Sequence, residues 1–253
     1  MSELKNKTIA VWVSCGLASA VAAKFTVEQY AEQNFVRLLN NPVIEEGQDN
    51  RRFLRDVADW CGVPIECVSH PNFPSCSAEE VWEKRKGMSF PHGAPCTQLL
   101  KKEARQIWEK TNLIDWHVLG FTADERKRHD RFVLTERSNV LPVLIAQGIT
   151  KQDCFDIVHA AGLIPPEAYR LGYPNANCRG CVKATSPSYW NLVRNVDPDA
   201  FNSRALQSRR LGVRLVRYKG KRIFLDELLK DAKGLPLKRL KMPDCGTFCE
   251  EKN

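Results

Sequence analysis

The chain has 253 residues, of which 43% are apolar and 27% charged, and its formal net charge is +8. That composition excludes a disordered chain and gives room for one large domain or a domain with a substantial appendage. No apolar run is long enough to span a bilayer, so no membrane role is expected. Residues 1–7 do not read as a signal peptide. The expected compartment is therefore reducing cytoplasm, where the ten cysteines stay as thiols or bind metal.

In chain order, Thr8-Ile9-Ala10-Val11-Trp12-Val13 predicts a buried strand. Residues 19–39 predict a helix with Val21, Phe25, Tyr30, Phe35 and Leu38 roughly on one face. Pro42-Val43-Ile44 predicts a short second strand ending at Glu45-Glu46-Gly47. Residues 50–60 predict a helix and residues 65–68 a third strand. This alternation implies a parallel sheet with right-handed crossovers. Residues 70–93 read as a long loop holding a short helix near 79–86. A helix follows at 97–109, strands at 117–121 and 140–144, and a helix at 152–161 opened by Thr150 as its N-cap. The remainder is less regular, with basic runs at 204–217 and 238–241.

Two features carry chemistry. The first strand runs into Ser14-Cys15-Gly16-Leu17-Ala18-Ser19. A small-residue turn between strand and helix lets backbone N–H groups hold a phosphate, with Gly16 expected to supply the tight turn. Any strand–helix turn uses such residues, so this motif is weak by itself. The basic stretch of residues 125–131 follows a strand end, where ligands gather in open α/β sheets. Arg126 and Arg128 are pocket candidates there, although most charge runs are solvated faces. The second feature is the cysteine placement. Cys178 and Cys181 form a CxxC in a Gly/Asn-rich loop, Cys96 lies far upstream, and Cys245 and Cys249 form a CxxxC near the end. Such thiols suit zinc or an iron–sulfur cluster. Cys61, Cys67, Cys76 and Cys154 read as core or loop residues.

Together these pieces resemble the phosphoadenosine phosphosulfate (PAPS) reductase family, within the PP-loop, or adenine nucleotide α-hydrolase-like, superfamily. Residues 14–19 match the S-x-G-x-x-S form of the loop, with Ala18 where the ATP-pyrophosphatase form has Asp. Pro95-Cys96-Thr97 with Leu100-Lys101 is similar to the Cys-Cys-x-x-x-Lys segment of cluster-bearing sulfonucleotide reductases, with Pro95 in place of the first Cys. Cys178 and Cys181 match their second cluster pair. Residues 171–183, and Met242-Pro243-Asp244-Cys245 with Phe248-Cys249, are similar to PAPS-reductase-like proteins of bacteriophages and mobile elements. The reductases end in Glu-Cys-Gly-Ile/Leu-His, whereas this chain has Asp244-Cys245-Gly246-Thr247-Phe248, without the His.

The resemblance implies a doubly wound parallel α/β sheet of the PP-loop type over residues 1–170 and a Cys-rich region over 171–253. It implies a nucleotide held by Ser14, Cys15, Gly16, Ser19, Glu46, Arg126 and Arg128. It further implies a 4Fe-4S cluster, or zinc as the alternative, on Cys96, Cys178, Cys181 and Cys249, with Cys245 as the reactive thiol. The implied activity is sulfonucleotide reduction or ATP-dependent thiolation of DNA or tRNA, as in DndC-like proteins of DNA phosphorothioation. ATP or a sulfonucleotide is then the substrate, and a sulfur donor or reductant protein the partner. A zinc-stabilised nucleic-acid-binding or regulatory protein with a degenerate nucleotide site is the competing reading.

Overall fold

The apolar run near the N-terminus is the middle strand of a sheet. Residues 4–91, 93–240 and 245 are described in this computed structural model. Strand β1 (Thr8–Trp12) has Ile9, Ala10 and Val11 fully buried, as expected of a parallel strand covered on both faces. Helix α1 (Leu17–Tyr30) follows. It stops well before Leu39, and β2 is Phe35–Asn40, so the second strand lies upstream of Pro42-Val43-Ile44. Val36, Leu38 and Leu39 are buried because β2 is itself covered. A run of buried residues matches either periodicity. The break is set by Asn34, whose side-chain amide donates to the Leu4 and Tyr30 carbonyls at 2.8 and 3.0 Å.

Helix α2 (Asp49–Cys61) and strand β3 (Ile65–Cys67) follow. Helix α3 (Ala78–Arg85) is capped by Ser77, whose Oγ accepts the Glu80 N–H at 3.2 Å. Helix α4 (Pro95–Thr97), a π-helical stretch (Gln98–Glu103) and α5 (Ala104–Glu109) succeed one another without a break. Then come β4 (Trp116–Val118), α6 (Arg126–Thr135) and β5 (Val140–Leu141). The strand expected at 140–144 is cut short by Pro142, and α7 (Val143–Ala146) takes its second half. Helix α8 (Lys151–Ala160) opens as expected on Thr150, which accepts the Asp153 N–H at 3.2 Å. Helices α9 (Glu167–Arg170), α10 (Pro187–Val196) and α11 (Pro198–Arg210) follow, and β6 (Val216–Tyr218) and β7 (Lys221–Ile223) form a hairpin. Both α10 and α11 begin with proline in the first turn. Proline tolerates that position because the missing N–H would have no helical partner there.

The five strands β1 to β5 form one parallel sheet in the order β3-β2-β1-β4-β5, flanked by helices. The fold is therefore α/β with a Rossmann-like strand order. Successive connections run outward in opposite directions from β1, which makes the gap between the ends of β1 and β4 a switch point. Asn40 and Asn41 lace the strand exits together. The Asn40 side chain donates to the Val13 carbonyl at 2.6 Å, and that of Asn41 to the Val68 carbonyl at 2.8 Å. Under the sheet, the Trp12 indole donates to Nδ1 of the buried His117 at 3.1 Å. Burial, then Arg137 and Arg105, push the His117 imidazole down to about 3, so it stays a neutral acceptor.

The chain packs as two compact units that interleave along the sequence rather than meeting at one point near residue 170. Met1–Pro42, Gln48–Ser69 and Ala104–Pro166 form the sheet unit, and Val43–Gly47, His70–Glu103 and Glu167–Asn253 the second. Among the described residues no helix is long and apolar enough to cross a membrane.

Candidate functional site

In the sheet unit, the 14–19 loop leaves β1 at the switch point. The left-handed backbone falls on Cys15 (φ 60°) and not on Gly16, whose φ of −84° any residue adopts. The expected role of Gly16 in the turn is therefore corrected. A Cβ at Gly16 would meet only Ser14 Oγ, at 3.7 Å, so the glycine leaves space and does not make the bend. Cys15 is buried and holds a backbone conformation that costs a non-glycine residue on the order of 1–3 kcal/mol. The loop is fixed internally. The Ser14 N–H donates to Ser19 Oγ at 3.0 Å, and Ser19 Oγ donates to the Gly16 carbonyl at 2.8 Å.

Helix α1 starts with neither a side-chain cap nor an acidic residue in its first turn. Its N-terminus is thus electropositive toward whatever lies in front of it. The exit of β4 closes in beside it. A Cβ on Gly120 would come within 2.7 Å of the Ser19 backbone nitrogen, so only glycine allows that approach. The next residue, Phe121, carries Arg128, whose guanidinium lies 5.0 Å from the ring centroid. Arg128 also pairs with Glu125. Arg126 is less available, because it donates to the Ile145 carbonyl at 3.3 Å. Sequence reasoning missed Gly120. It falls inside the strand expected over 117–121, but the strand ends at Val118, and a glycine inside an expected strand is the signal of a close backbone approach.

In the second unit, four cysteines come together. Cys96, Cys178, Cys181 and Cys245 are coupled electrostatically in every one of their six pairs. Burial, and then the neighbouring thiols, push Cys96 up to about 12. Cys178 is pushed well above the ordinary thiol range by burial, Glu46 and the other three sulfurs. Cys181 rises to about 11, chiefly through burial and Cys245. Cys96, Cys178 and Cys181 therefore stay protonated until a cation offsets their charge.

Local sequence explains the gathering. Gly180 turns the CxxC with φ 69°, and a Cβ there would lie 3.2 Å from the Arg204 side chain. The Tyr189 hydroxyl of α10 accepts the Cys181 N–H at 2.9 Å. Thr97 Oγ1 lies 3.5 Å from Cys245 Sγ. The Trp82 indole N–H is buried with no nitrogen or oxygen acceptor, and the group it acts on is the Cys96 thiol, whose pKa it lowers. Arg204 stacks 4.6 Å over the Trp82 ring. Neither Trp82 nor Thr97 was legible as a site residue from sequence.

Glu45-Glu46-Gly47 serves the same place three ways. The Glu45 carboxylate accepts the Ser77 hydroxyl at 2.8 Å and the Ala78 and Glu79 N–H groups at 2.9 and 3.0 Å, completing the cap of α3. Glu46 is not seated in the sheet unit; it pairs with Lys101 Nζ at 2.8 Å, both side chains almost fully buried. Gly47 lies under the Arg179 guanidinium, where a Cβ would be 2.9 Å from Nε. Burial opposes the Lys101 charge, but Glu46, Cys245 and Cys178 overcome it and hold its pKa well above the ordinary lysine value.

Removing one partner of such a pair strands the other charge in the interior. The Lys101→Met variant is expected to lose about 3–5 kcal/mol of stability. The double variant with Glu46→Gln is expected to recover most of it. Denaturant unfolding of the four chains of the cycle measures this, and additive losses would show that the pair does not act as one.

The described thiols do not form a preformed site for a single ion. No group of three or more His, Cys, Asp or Glu side chains among the described residues is placed to hold one. A lone zinc ion with bonds of about 2.3 Å would draw its sulfurs to within about 4 Å of one another. A multi-iron cluster accepts wider spacing. Cys249, assigned as a ligand from sequence, lies outside the described residues, as do Lys241 and residues 242–244. Compared with known proteins, the chain matches no family model, and no curated protein matches it.

Proposed function

We propose that this chain is an adenine-nucleotide-dependent enzyme of sulfur chemistry, of the PP-loop type, with a four-thiolate iron–sulfur centre. The observation that carries the reading is the mutual electrostatic interaction of the half-buried Cys96 with the buried Cys178, Cys181 and Cys245, drawn together from widely separated stretches of chain. Four thiols with Lys101 and Lys183 beside them are the kind of donor set that holds a 4Fe-4S cluster. Cys245 here takes the fourth ligand position, which leaves Cys249 as the thiol free to react. When bound, the cluster would supply electron-withdrawing and redox capacity.

The protein's own residues do the rest. Trp82, Thr97 and the backbone N–H of Lys183 act on the sulfurs of Cys96, Cys245 and Cys181. Lys101 and Lys183 offset the centre's negative charge. In the sheet unit, the free N–H groups of α1 with Ser14 hold the nucleotide phosphate, and Arg128 adds positive charge at the β4 exit.

The test is metal and turnover analysis of anaerobically purified protein. Iron and acid-labile sulfide in about a four-to-four ratio per chain are expected. One zinc and no sulfide would overturn the centre. Supplied with a reductant, release of sulfite from a sulfonucleotide identifies reduction. ATP cleavage that depends on DNA or tRNA identifies thiolation, and neither activity would overturn the enzyme reading.

A further inference from the structure

The β6–β7 hairpin is basic without compensation. From Arg209 to Leu225 the sequence carries seven Lys and Arg and no acid. Arg209 pairs with Asp226 and Glu227, and Arg210 with Glu83. Arg214, Arg217, Lys219, Lys221 and Arg222 are all exposed and have no acidic partner among the described residues. The hairpin is nevertheless well built. Lys219 (φ 47°) and Gly220 (φ 78°) form a tight two-residue turn of the kind that matches strand twist. Its base is anchored by Leu215, Val216, Phe224 and Leu225, all buried. The Arg217 N–H donates to the Thr185 carbonyl at 2.8 Å.

The register sets Arg217 directly opposite Arg222 on the solvent face. Like charges at facing positions destabilise a hairpin. Proximity to Arg217 adds to burial in lowering the Arg222 pKa. A fold that needed only a soluble turn would have no reason to keep this repulsion. An external polyanion would relieve it.

We propose that the β6–β7 hairpin is a docking ribbon for the sugar–phosphate backbone of B-form duplex DNA. The wide major groove of B-form DNA admits a two-stranded ribbon, whereas the deep, narrow groove of A-form RNA does not. The ribbon's exposed cations meet phosphates, and its rigid turn presents Lys219 and Lys221 at the tip. This surface deepens the nucleic-acid branch of the proposed function, and it requires neither the cysteine centre nor the nucleotide loop.

The experiment measures binding of the full chain to a 30-base-pair DNA duplex, to tRNA and to anionic lipid vesicles across a salt series. The parent chain is expected to bind the duplex with a logarithmic salt slope of about −3 to −5, as four or five contacts would give. Arg217→Glu is expected to weaken duplex binding about tenfold or more and to reduce the slope by about 1–2. Its thermal midpoint should stay equal or rise, because the substitution replaces repulsion across the register by attraction. A Lys219→Gln/Lys221→Gln variant should lose binding in the same direction without any charge reversal. Unchanged duplex affinity in both variants overturns the proposal, as does tighter hairpin-dependent binding of tRNA or of vesicles. Visible absorbance of the variants should match the parent. A parent chain that holds the metal but binds no duplex marks failure of the ribbon alone, and one that binds the duplex through the hairpin without the metal marks failure of the proposed centre alone.

Discussion

Cys245→Ser protein purified without oxygen is expected to hold less than about a tenth of the parent's iron, while Cys249→Ser holds all of it. The resemblance to sulfonucleotide reductases implies the opposite division, with Cys249 ligating and Cys245 reacting. The proposed centre reverses that division. Cys245 is buried, lies 3.5 Å from Thr97 Oγ1, and interacts electrostatically with Cys96, Cys178 and Cys181. A serine oxygen is a poor substitute for a thiolate on iron, and three remaining sulfurs would hold a four-iron cluster weakly. Cys178→Ser and Cys96→Ser should show the same loss. Iron and sulfide analysis, with far-ultraviolet circular dichroism to show that the fold persists, makes the measurement. Full metal in Cys245→Ser and none in Cys249→Ser would restore the division implied by the family and remove Cys245 from the centre.

Gly16→Asp is expected to weaken ATP or sulfonucleotide binding by about 100-fold or more, and Gly16→Ala by no more than about threefold. The backbone at Gly16 is ordinary, and a Cβ there meets only Ser14 Oγ at 3.7 Å. Neither substitution should therefore distort the loop. A carboxylate at that position would sit where a phosphate is proposed to sit. Two charges about 4 Å apart repel by roughly 4 kcal/mol at the effective dielectric of a protein surface, and each 1.4 kcal/mol is tenfold in affinity. An aspartate at the N-cap of α1 also favours the helix, so the thermal midpoint should hold or rise. That result separates lost binding from lost folding. Calorimetry on both variants decides it, and equal nucleotide affinity in Gly16→Asp and the parent would remove the phosphate from this loop.

Local pattern alone determined a good deal of this protein. The run 8–13 is apolar from Ile9 onward, which is the pattern of a covered strand. Thr150 with Asp153 spelled its own helix start. Cys178, Gly180 and Cys181 spelled a tight, thiol-bearing turn, because spacing and a residue able to take positive φ suffice for one. What depended on partners distant in sequence was not legible. The helix–strand boundary near Asn34 rests on hydrogen bonds to Leu4 and Lys7. Glu46 reads as a polar residue at a strand end until Lys101, 55 positions on, is seen to share its burial. Gly120 acquires its constraint only from the α1 backbone beside it. Cys245 belongs with Cys96 only through packing that joins residues 148 positions from Thr97. The physical reason is common to all four. Propensity and periodicity are properties of neighbours in the chain, whereas burial, charge pairing and sulfur convergence are properties of neighbours in space, and only the folded chain brings those neighbours together.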